Sequence, residues 1–523
     1  MKKIIQRIDY TTPLFFVGLL TLFNIRLAYF VSNNIVYLYW KEVSTAFVLQ
    51  ILCFFVTTFI IRLFASDWKK TLQYIMYVTV FWLMGNLLVI YTLLGNNILL
   101  VALFFFILCI FYIIHYLHQG DAKTFRIFVS VFSFILFAMQ LPALISLAQS
   151  DYNKFSFNDV EAKISIQESN DFPHIIYIIP DRYSSNETLE QLYNYSNKTF
   201  SDSLEQRGFY VWKNQYSNYP KTFQSIASTL NMNYLDSVTD ELSDNTNSYV
   251  PIYELMHNYQ AQRLLARSGY DYTHIGSWWG PTKTNAHADV NFNSGFDGAS
   301  EFTLNYMATT PLLLFTVLRN HSKKDNCESL QDQLQLIKKQ VKSDKPQFIF
   351  WHTLLTHDPY IFNDDGTCRA FSDERYFNND YEARKRNYLQ HIGHFNRYML
   401  ELFDTIQETS KREFVFVIQA DEGPFPEDYL KTQYGIIKDR YDFWNAPLSE
   451  KQRKHSVFNA MYLPGQKYSE FHIHRTPVNN FRLIFNSIYQ LDLPLLDDKI
   501  LSFQHEKAPY VLKDVTHELL EGN

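Results

Sequence analysis

The first 150 residues of the chain are strongly apolar. They contain five apolar stretches of about 20 residues, the length that the hydrocarbon core of a bilayer requires of a helix. The stretches are residues 13–31, 43–64, 71–94, 98–117 and 125–147. After Gln149 polar residues become frequent. The pattern predicts an α-helical membrane domain of five transmembrane helices over residues 1–149, a polar linker over residues 150–171 and a soluble domain over residues 172–523.

The soluble part repeats one pattern, in which a short apolar strand ends in polar residues and a helical stretch follows. Such strands are found within residues 174–185, 270–279, 347–360, 413–423 and 457–465. Runs that are apolar on both faces are typical of a mostly parallel sheet covered by helices on both sides. The segments 188–207, 253–268 and 327–341 have helical spacing. We therefore expect an α/β domain whose ligands bind at the carboxyl ends of the strands.

The distribution of basic residues predicts which side of the membrane this domain occupies. With a cytoplasmic N-terminus, the inner segments carry eight Lys and Arg residues and the outer loops carry only Lys41. Five crossings would then place the α/β domain outside, on a multi-pass protein of the cytoplasmic (inner) membrane. A cleaved signal peptide is the alternative for the first stretch, but it lacks a small-residue cleavage site and four further stretches follow it. A net charge of −6 shows no basic bias toward nucleic acid.

The four cysteines agree with this placement. Cys53 and Cys109 lie in membrane stretches, whereas Cys327 and Cys368 lie in the exported domain, where oxidation is permitted. A disulfide between these two and a pair of free thiols are about equally compatible with the sequence. No CxxC or Cys/His spacing indicates a thiolate metal site.

Three carboxylates follow apolar strands. Asp421 and Glu422 come directly after FVFVIQ, and Asp181 ends HIIYIIP. An adjacent Asp-Glu pair alone is more often a solvated turn. Carboxylates that converge at one edge of a sheet repel each other unless a cation compensates, and oxygen ligands suit a hard divalent cation.

The segment SNYPKTFQSIASTLNMNYL supplies a candidate nucleophile. Pro220 does not fit a helix interior and helical character begins near Phe223, so Thr222 is expected close to a helix N-terminus. The unpaired N–H groups there favour an alkoxide or a bound phosphate. Taken by itself, this position is better explained by an ordinary N-cap at Thr222.

Six motifs resemble, in the same order, those of the alkaline phosphatase superfamily. They are IIYIIPDRYSS, the SLEQRGFYVW…NMNYL segment, HIGSWWGPT, LLTHDPYIF, ADEGP and FNAMYLPG. The branch that the chain resembles is that of membrane-anchored sulfatase-like proteins, related to lipoteichoic acid synthases and phosphoethanolamine transferases. The resemblance covers residues 174 to about 502, and the five-helix anchor matches the plan of lipoteichoic acid synthases.

The resemblance implies roles for five residues of this sequence. The first acidic metal ligand falls on Asp181, and the Thr or Ser nucleophile, itself a metal ligand, falls on Thr222. The Asp-His metal pair before a glycine falls on Asp421 and Glu422. A histidine that helps to hold substrate falls on His357.

Two departures from the family pattern affect the expected chemistry. Glu422 stands where the family usually has His, so the ligands implied are three carboxylates and a Thr oxygen; they favour one Mn²⁺ or Mg²⁺ ion, with Ca²⁺ or Zn²⁺ as alternatives. The Cys/Ser-x-Pro-x-Arg signature that a formylglycine sulfatase would need is absent around Thr222. Its absence counts against cleavage of sulfate esters.

The resemblance implies metal-assisted phosphoryl transfer through a phosphothreonine. The phospho-group would be of the phosphoglycerol or phosphoethanolamine type, with a phospholipid as donor and an envelope glycan or lipid as acceptor. His357 would steady a phosphate oxygen or protonate the leaving group. Two alternatives stay open: a hydrolase on the same scaffold, either a phosphatase or a sulfuric ester hydrolase, and a catalytically silent relative that binds a glycan or a partner.

The segment GSWWGPTKTNAHADVNF offers candidates for substrate binding. Trp278, Lys283, Asn285 and Asp289 could line an acceptor or headgroup pocket, because aromatic faces pack on sugars and Lys binds phosphate. A structured loop with buried tryptophans explains the same residues. His274 and His352 lie in or at the end of apolar strands and are interpreted as core histidines.

Overall fold

The computed structural model describes residues 11–93, 110, 122–149, 164, 169, 171–243, 247–277, 279–293, 301–312, 326–369, 381–428, 441–466, 468 and 471–521. The chain divides into two compact units. One contains Met1–Tyr152 together with Gly298–Lys323, and the other contains Asn153–Asp297 together with Lys324–Asn523. A segment from the middle of the polar half of the sequence thus belongs to the apolar N-terminal unit.

The N-terminal unit consists of helices in its described residues. They are Thr11–Asn34, Trp40–Phe64, Trp68–Leu93, Ala122–Ala138, Leu141–Gln149 and Glu301–Ala308, with a 3₁₀ turn at Ile35–Tyr37. The last of these helices packs through Phe302 and Tyr306 on the ring of Phe30. The hydroxyl of Tyr306 also donates a hydrogen bond of 2.6 Å to Gln50 Oε1, which satisfies a polar group buried among apolar helices.

The described residues give two or three candidate membrane spans, whereas the sequence predicts five. Thr11–Tyr37 and Trp40–Phe64 are long and apolar enough to cross a bilayer. Lys123–Ala138 and Leu141–Gln149, bent by 42°, give a third candidate if they form one span. Helix Trp68–Leu93 covers the third predicted stretch but does not qualify over its described residues. The fourth stretch, residues 98–117, lies outside the described residues except for Ile110.

In its described residues, the other unit is built on a sheet of seven strands. Numbered along the chain, these strands are β1 (His174–Pro180), β2 (Tyr210–Val211), β4 (Asp271–Gly276), β5 (Val290–Asn293), β6 (Gln347–Thr353), β7 (Phe414–Gln419) and β9 (Asn459–Tyr462). Their order across the sheet is β2-β9-β7-β1-β6-β4-β5. All neighbours pair in parallel except β2–β9 and β9–β7. The mostly parallel sheet predicted from the sequence is confirmed. Two small sheets pair β3 (Gln215–Tyr216) with β8 (Ser456–Val457) and β10 (Leu501–Phe503) with β11 (Leu512–Asp514).

Helices surround this sheet. Those of the described residues are Asn186–Tyr193, Lys198–Gln206, Thr222–Leu230, Asp236–Ser243, Val250–His257, Gln260–Arg267, Gly280–Lys283, Asn326–Gln340, Tyr381–Thr409, Leu448–His455, Asn480–Tyr489 and Thr516–Glu521, with 3₁₀ turns at Phe471–Ile473 and Pro477–Asn479. Two stretches that the sequence predicts as helical, 188–207 and 253–268, are each divided in two. Asn194, with a φ of 54°, ends the first helix in the left-handed conformation that Asn tolerates.

The central strands β1, β6 and β7 are buried along their whole length. This burial explains why their sequences are apolar at nearly every position, because a strand covered on both faces has no solvent-exposed face for polar residues. A disulfide joins Cys327, a buried residue on helix Asn326–Gln340, to Cys368. Of the two alternatives that the sequence leaves open for these cysteines, the structure contains the disulfide.

Candidate active site

Three adjacent strands bring the candidate metal ligands together. β1 pairs with β7 on one side and with β6 on the other, so their carboxyl ends meet at one edge of the sheet. Asp181 follows β1, His352 is near the end of β6, and Asp421 follows β7 by two residues. One possible ligand atom from each of these residues lies within 4.8 Å of the others, and all three residues are buried.

These three side chains carry buried polar atoms without hydrogen-bond partners among the described residues. The atoms are Asp181 Oδ1, Asp421 Oδ2 and His352 Nε2. A buried donor or acceptor left without a partner costs roughly 1–3 kcal/mol, and a charged one costs more. Three such atoms in one place indicate a missing common partner, and two carboxylates beside an imidazole form a ligand set for a divalent cation.

The electrostatics of the two aspartates support the same conclusion. Burial, together with the nearby charges of Asp181 and Glu422, raises the pKa of Asp421 well above its ordinary value. Burial would also raise the pKa of Asp181, but His357, His352 and Arg182 outweigh it and hold that pKa below its usual range. Without a cation, the two carboxylates therefore resist being ionised together.

His352 is held in a defined orientation by Thr282. The Thr282 hydroxyl lies 2.7 Å from His352 Nδ1 and 3.2 Å from the hydroxyl of Ser277. This contact engages one ring nitrogen and leaves Nε2 3.7 Å from Asp181 Oδ2. A hydrogen bond on the distal nitrogen is the usual way in which a protein orients a metal-binding histidine.

The sequence interpretation of the two strand histidines is half right. His274 is a core histidine, since Tyr272 and the Thr282 carbonyl engage its two ring nitrogens and burial lowers its pKa to about 4. His352 is equally buried but stands beside Asp181. A polar residue at the end of an apolar strand, the signal used for Asp181, was also present at His352.

Glu422 lies in the site with its two oxygens facing cations. Its Oε2 accepts a hydrogen bond of 3.1 Å from the backbone N–H of Thr222 and lies 3.0 Å from Lys454 Nζ. Its Oε1 lies 3.4 Å from Arg182 Nε. Burial lowers the pKa of Lys454 to about 8 although Glu422 opposes this shift. The charge of Glu422 is thus compensated from within the chain, and its predicted role as a metal ligand remains a prediction.

Gly423 makes this pairing possible. A Cβ at this position would lie 2.0 Å from the Arg453 carbonyl oxygen, and the Gly423 N–H donates a 2.9 Å hydrogen bond to the Lys454 carbonyl. Only glycine allows the turn after Glu422 to approach the end of helix Leu448–His455 so closely. This approach brings Lys454 to Glu422.

Thr222 is the first residue of helix Thr222–Leu230, where the sequence predicts a helix start. The preceding Lys221 provides no side-chain cap, and Glu422 accepts the Thr222 N–H instead. The side chain of Thr222 lies close enough to Asp421 to oppose the rise in the pKa of that carboxyl. Ser225, in the next turn, is buried. Of these two hydroxyl groups, that of Thr222 faces the candidate metal ligands.

Arg182 was not identified from the sequence, although it follows Asp181 directly. It adopts a φ of 64°, a conformation uncommon outside glycine. Its guanidinium lies 3.1 Å from Asp358 Oδ1 and 4.1 Å from the centre of the Phe425 ring. Together with its contact to Glu422, this places a fixed positive charge at the edge of the site.

These residues border an open cleft of about 600 Å³. The lining residues are Asp181, Arg182, Lys221, Thr222, Phe223, Tyr249, Tyr253, Trp279, Leu354, His357, Glu422 and Phe425. His357 is held by a contact from its Nδ1 to the Asp358 carbonyl oxygen. The cleft thus brings the predicted nucleophile, the predicted substrate-holding histidine and two basic residues together.

Two of the predicted substrate-binding residues, Asn285 and Asp289, are engaged in hydrogen bonds away from the cleft. Asn285 engages the backbone of His257 and Asn291 Oδ1, and Asp289 accepts a hydrogen bond from the backbone of Tyr272, at the start of β4. Neither these residues nor Lys283 line the cleft within the described residues. Trp278 lies outside the described residues, and the neighbouring Trp279 does line the cleft. Their predicted role remains a prediction.

Comparison with known proteins adds a family and a set of similar structures. The family model for Sulfatase matches residues 173–484, more than half of the chain. Comparison with curated proteins found no match.

Three solved structures illustrate the similarity. The C-terminal periplasmic domain of EcEptC from Escherichia coli is 12% identical, covers 68% of this chain and 96% of its own, and has a TM-score of 0.43. Its complex with Zn is 11% identical, with coverage of 61% and 83% and a TM-score of 0.40. The integral membrane protein lipooligosaccharide phosphoethanolamine transferase A from Neisseria meningitidis is 12% identical, with coverage of 91% and 95% and a TM-score of 0.39.

Proposed function

The chain belongs to the Sulfatase family, whose members include sulfatase-like hydrolases and transferases, and we propose that it transfers a phospho-group through a phosphothreonine at Thr222. The observation that carries this proposal is the position of Thr222. It is the first residue of its helix, lines the same cleft as Asp181 and lies close to Asp421, beside three buried ligand atoms that have no hydrogen-bond partner among the described residues. An alcohol becomes a good nucleophile in this kind of setting.

The residues present fit a divalent cation. We propose Asp181, Asp421 and His352 as its protein ligands, with the Thr222 oxygen next to them. An imidazole among oxygen ligands shifts the preference from Mg²⁺ toward Mn²⁺ or Zn²⁺. When bound, such an ion supplies a Lewis acid that lowers the pKa of the threonine hydroxyl and screens phosphate oxygens.

The remaining groups of the cleft have separate tasks. Glu422 fixes the start of the helix that carries Thr222, and Arg182 and Lys221 provide positive charge for the phosphate. The Thr222 oxygen forms a bond to phosphorus while the bond to the leaving oxygen breaks. The threonine proton passes to the neighbouring Asp421 carboxylate, and His357 protonates the leaving oxygen.

Phosphate is favoured over sulfate by the residue at the nucleophile position. Thr222 is followed by Phe-Gln-Ser, which lacks the Cys/Ser-x-Pro-x-Arg sequence expected of a formylglycine sulfatase. We further propose a multi-pass protein of the inner membrane with its α/β domain outside. A phospholipid carrying a phosphoglycerol or phosphoethanolamine headgroup then serves as donor, and an envelope glycan or lipid serves as acceptor.

The test uses the full-length protein in detergent with a phospholipid that carries a labelled headgroup. In the presence of Mn²⁺, the label should appear on Thr222 in peptide mass spectrometry and should be absent after chelation. Thr222→Ala should abolish labelling, whereas Ser225→Ala, on the same helix, should retain it. Label on Ser225, or full turnover by Thr222→Ala, would contradict the proposal. Fast label release to water without transfer would indicate a hydrolase.

A further inference from the structure

Lys221 lines the cleft directly before Thr222, and its ammonium group is held from behind by Glu506. Lys221 Nζ donates a hydrogen bond of 2.7 Å to Glu506 Oε1. Only 15% of the lysine side chain and 9% of the glutamate side chain are exposed. Glu506 is not among the described residues that line the cleft. The carboxylate therefore acts on a molecule in the cleft through Lys221 and not by contact.

Two aromatic rings further restrict the ammonium group. Lys221 Nζ lies 5.6 Å from the centre of the Phe503 ring and 5.8 Å from the centre of the Phe425 ring. The faces of aromatic rings attract cations. A lysine side chain ordinarily samples many rotamers, and these contacts, together with the ion pair to Glu506, confine its charge to one place beside Thr222.

The loop that carries Glu506 also contacts the surroundings of Thr222. This loop connects β10 to β11. Its Pro509 carbonyl accepts a hydrogen bond of 2.7 Å from Gln224 Nε2, on the helix that begins at Thr222. The Glu506 carbonyl accepts a hydrogen bond of 3.4 Å from the hydroxyl of Tyr249, which lines the cleft. The loop is therefore tied to the same helix start as the ion pair.

Stability alone does not explain a buried ion pair of this kind. Taking two charges out of water costs free energy, and apolar replacement of a buried pair is often neutral or stabilising. A cation that is already fixed where a reacting anion will lie needs no reorganisation during the reaction. Glu506 lies beyond residues 173–484, which the Sulfatase model matches, so the match does not imply its role.

We propose that Glu506 is a positioning residue, which holds the Lys221 ammonium where it binds a phosphate oxygen of the donor. The inference rests on the proposed function. Lys221 makes this contact in the bound donor and keeps it during transfer, so the contact stabilises the ground state and the transition state alike. Loss of Glu506 should therefore raise KM and leave kcat nearly unchanged.

Inorganic phosphate is the probe for binding, measured by calorimetry on the full-length protein in detergent with Mn²⁺. Glu506→Ala should weaken phosphate binding by about tenfold, because Lys221 is no longer held at its charge-assisted contact. Glu506→Gln keeps an oxygen acceptor in the same place and should bind phosphate no more than about twofold more weakly. Equal weakening in both variants, or weakening in neither, would contradict a positioning role.

A second lysine pair provides the control. Glu518 Oε1 lies 2.5 Å from Lys451 Nζ, and neither residue lines the cleft within the described part of the chain. Glu518→Ala also removes the partner of a lysine and should leave phosphate binding unchanged. Lys221→Met should weaken binding as much as Glu506→Ala does, and Glu506→Ala/Lys221→Met should weaken it no further. Additive losses in the double variant would overturn the proposal.

Steady-state transfer from the labelled phospholipid gives a second readout. Glu506→Ala should raise KM by about tenfold while kcat changes by less than about twofold. A fall in kcat at unchanged KM would contradict the proposed contact. If Glu506→Ala does not fold, Glu506→Asp carries the test, because it retains the charge but withdraws the carboxylate from Lys221. It should raise KM by at least about threefold, and an unchanged KM would count against the proposal.

Failure of this inference is distinguishable from failure of the proposed function. If Thr222 is never labelled but phosphate binding depends on Lys221 and Glu506 as described, the proposed function fails and the positioning of Lys221 stands. If Thr222 is labelled and Glu506→Ala retains both its KM and its phosphate affinity, the role of Glu506 alone is wrong.

Discussion

The Glu422 carboxylate lies 3.1 Å from the backbone nitrogen of Thr222 and 3.0 Å from the ammonium of Lys454. One side chain therefore fixes the start of the helix that carries Thr222 and neutralises a fully buried cation. A carboxylate suits this double contact, because it accepts the Thr222 N–H with charge assistance and forms an ion pair with Lys454.

The pairing of Glu422 with Lys454 predicts strong coupling between the two residues. Glu422→Gln leaves the buried Lys454 without its counter-charge and should lower the free energy of unfolding by about 3 kcal/mol. Glu422→Gln/Lys454→Met should recover much of this loss, and urea unfolding of both variants measures it. Equal losses in the single and double variants would show that the two side chains do not depend on each other.

The unpaired Nε2 of His352 predicts a direct role in metal binding. His352→Ala should weaken Mn²⁺ binding by at least about tenfold in equilibrium dialysis, a readout that does not depend on turnover. His274→Gln, on the neighbouring strand, is the matched control and should retain affinity. Glu422→Gln should also retain Mn²⁺ affinity, because the Glu422 carboxylate is engaged by Lys454 and Arg182. If Glu422→Gln loses more Mn²⁺ affinity than His352→Ala, Glu422 is the metal ligand, as the sequence predicts.

Buried neutral histidines predict loss of stability in acid. His174 accepts a hydrogen bond from Gln347 N–H at Nδ1 and bonds the Val341 carbonyl through Nε2, so its neutral form is fully satisfied. Burial lowers its pKa to about 4 from 6.5. Only the unfolded chain takes up a proton between these values, so about 3 kcal/mol of unfolding free energy should be lost as the pH falls from about 6.5 to 4.

Denaturant unfolding at a series of pH values measures this loss. His174→Gln should show a shallower decrease than the unchanged protein, whereas His517→Gln, at an exposed position, should not. An identical pH dependence in all three proteins would contradict the prediction. The stability of His174→Gln should still decrease somewhat in acid, because burial also lowers the pKa of His391, to about 3.

The disulfide between Cys327 and Cys368 should contribute to stability by restricting the unfolded chain. Its ends are separated by 41 residues, and closing a loop of this size contributes roughly 3–4 kcal/mol. Cys327→Ala/Cys368→Ala should lower the free energy of unfolding by that amount. Mass spectrometry of a non-reduced digest checks the bond itself, and two freely alkylated thiols would exclude it.

The basic residues near the apolar stretches predict that the α/β domain is exported. Reporter fusions at Asp121 and Asn523 should report the cytoplasm and the outside, respectively. The pair of fusions tests the crossing predicted at residues 125–147, because a span between the two positions reverses the side. The same side for both fusions would contradict a five-span arrangement.

The sequence predicts the sheet and part of the site for a physical reason. Strands buried on both faces must be continuously apolar, so β1, β6 and β7 can be recognised, and the residues that follow them must lie at one edge. Asp181 and Asp421 were found in this way. The sequence pattern of each strand does not show the order of the strands in the sheet, so it could not place β6 next to β1. His352, near the end of β6, was therefore interpreted as a core residue.

The contacts of Glu422 with Lys454 and Arg182 also could not be predicted from the sequence. Lys454 belongs to helix Leu448–His455, and only the close approach at Gly423 brings it to the site. Arg182 is adjacent to Asp181, but a basic residue after a strand does not reveal that its side chain will turn toward Glu422. Charge pairs between residues this far apart in the sequence can be identified only from the folded structure.

The return of residues 298–323 to the N-terminal unit means that the chain passes between the two units three times. A single proteolytic cut in the linker after Gln149 would separate residues 1–149 covalently from the rest of the chain, and they would stay attached only through their packing with residues 298–323. A shortened protein beginning at residue 153 would retain Phe302 and Tyr306 but lack Phe30 and Gln50, exposing apolar rings to water. Soluble expression of the α/β domain should therefore improve when residues 298–323 are replaced by a short polar loop.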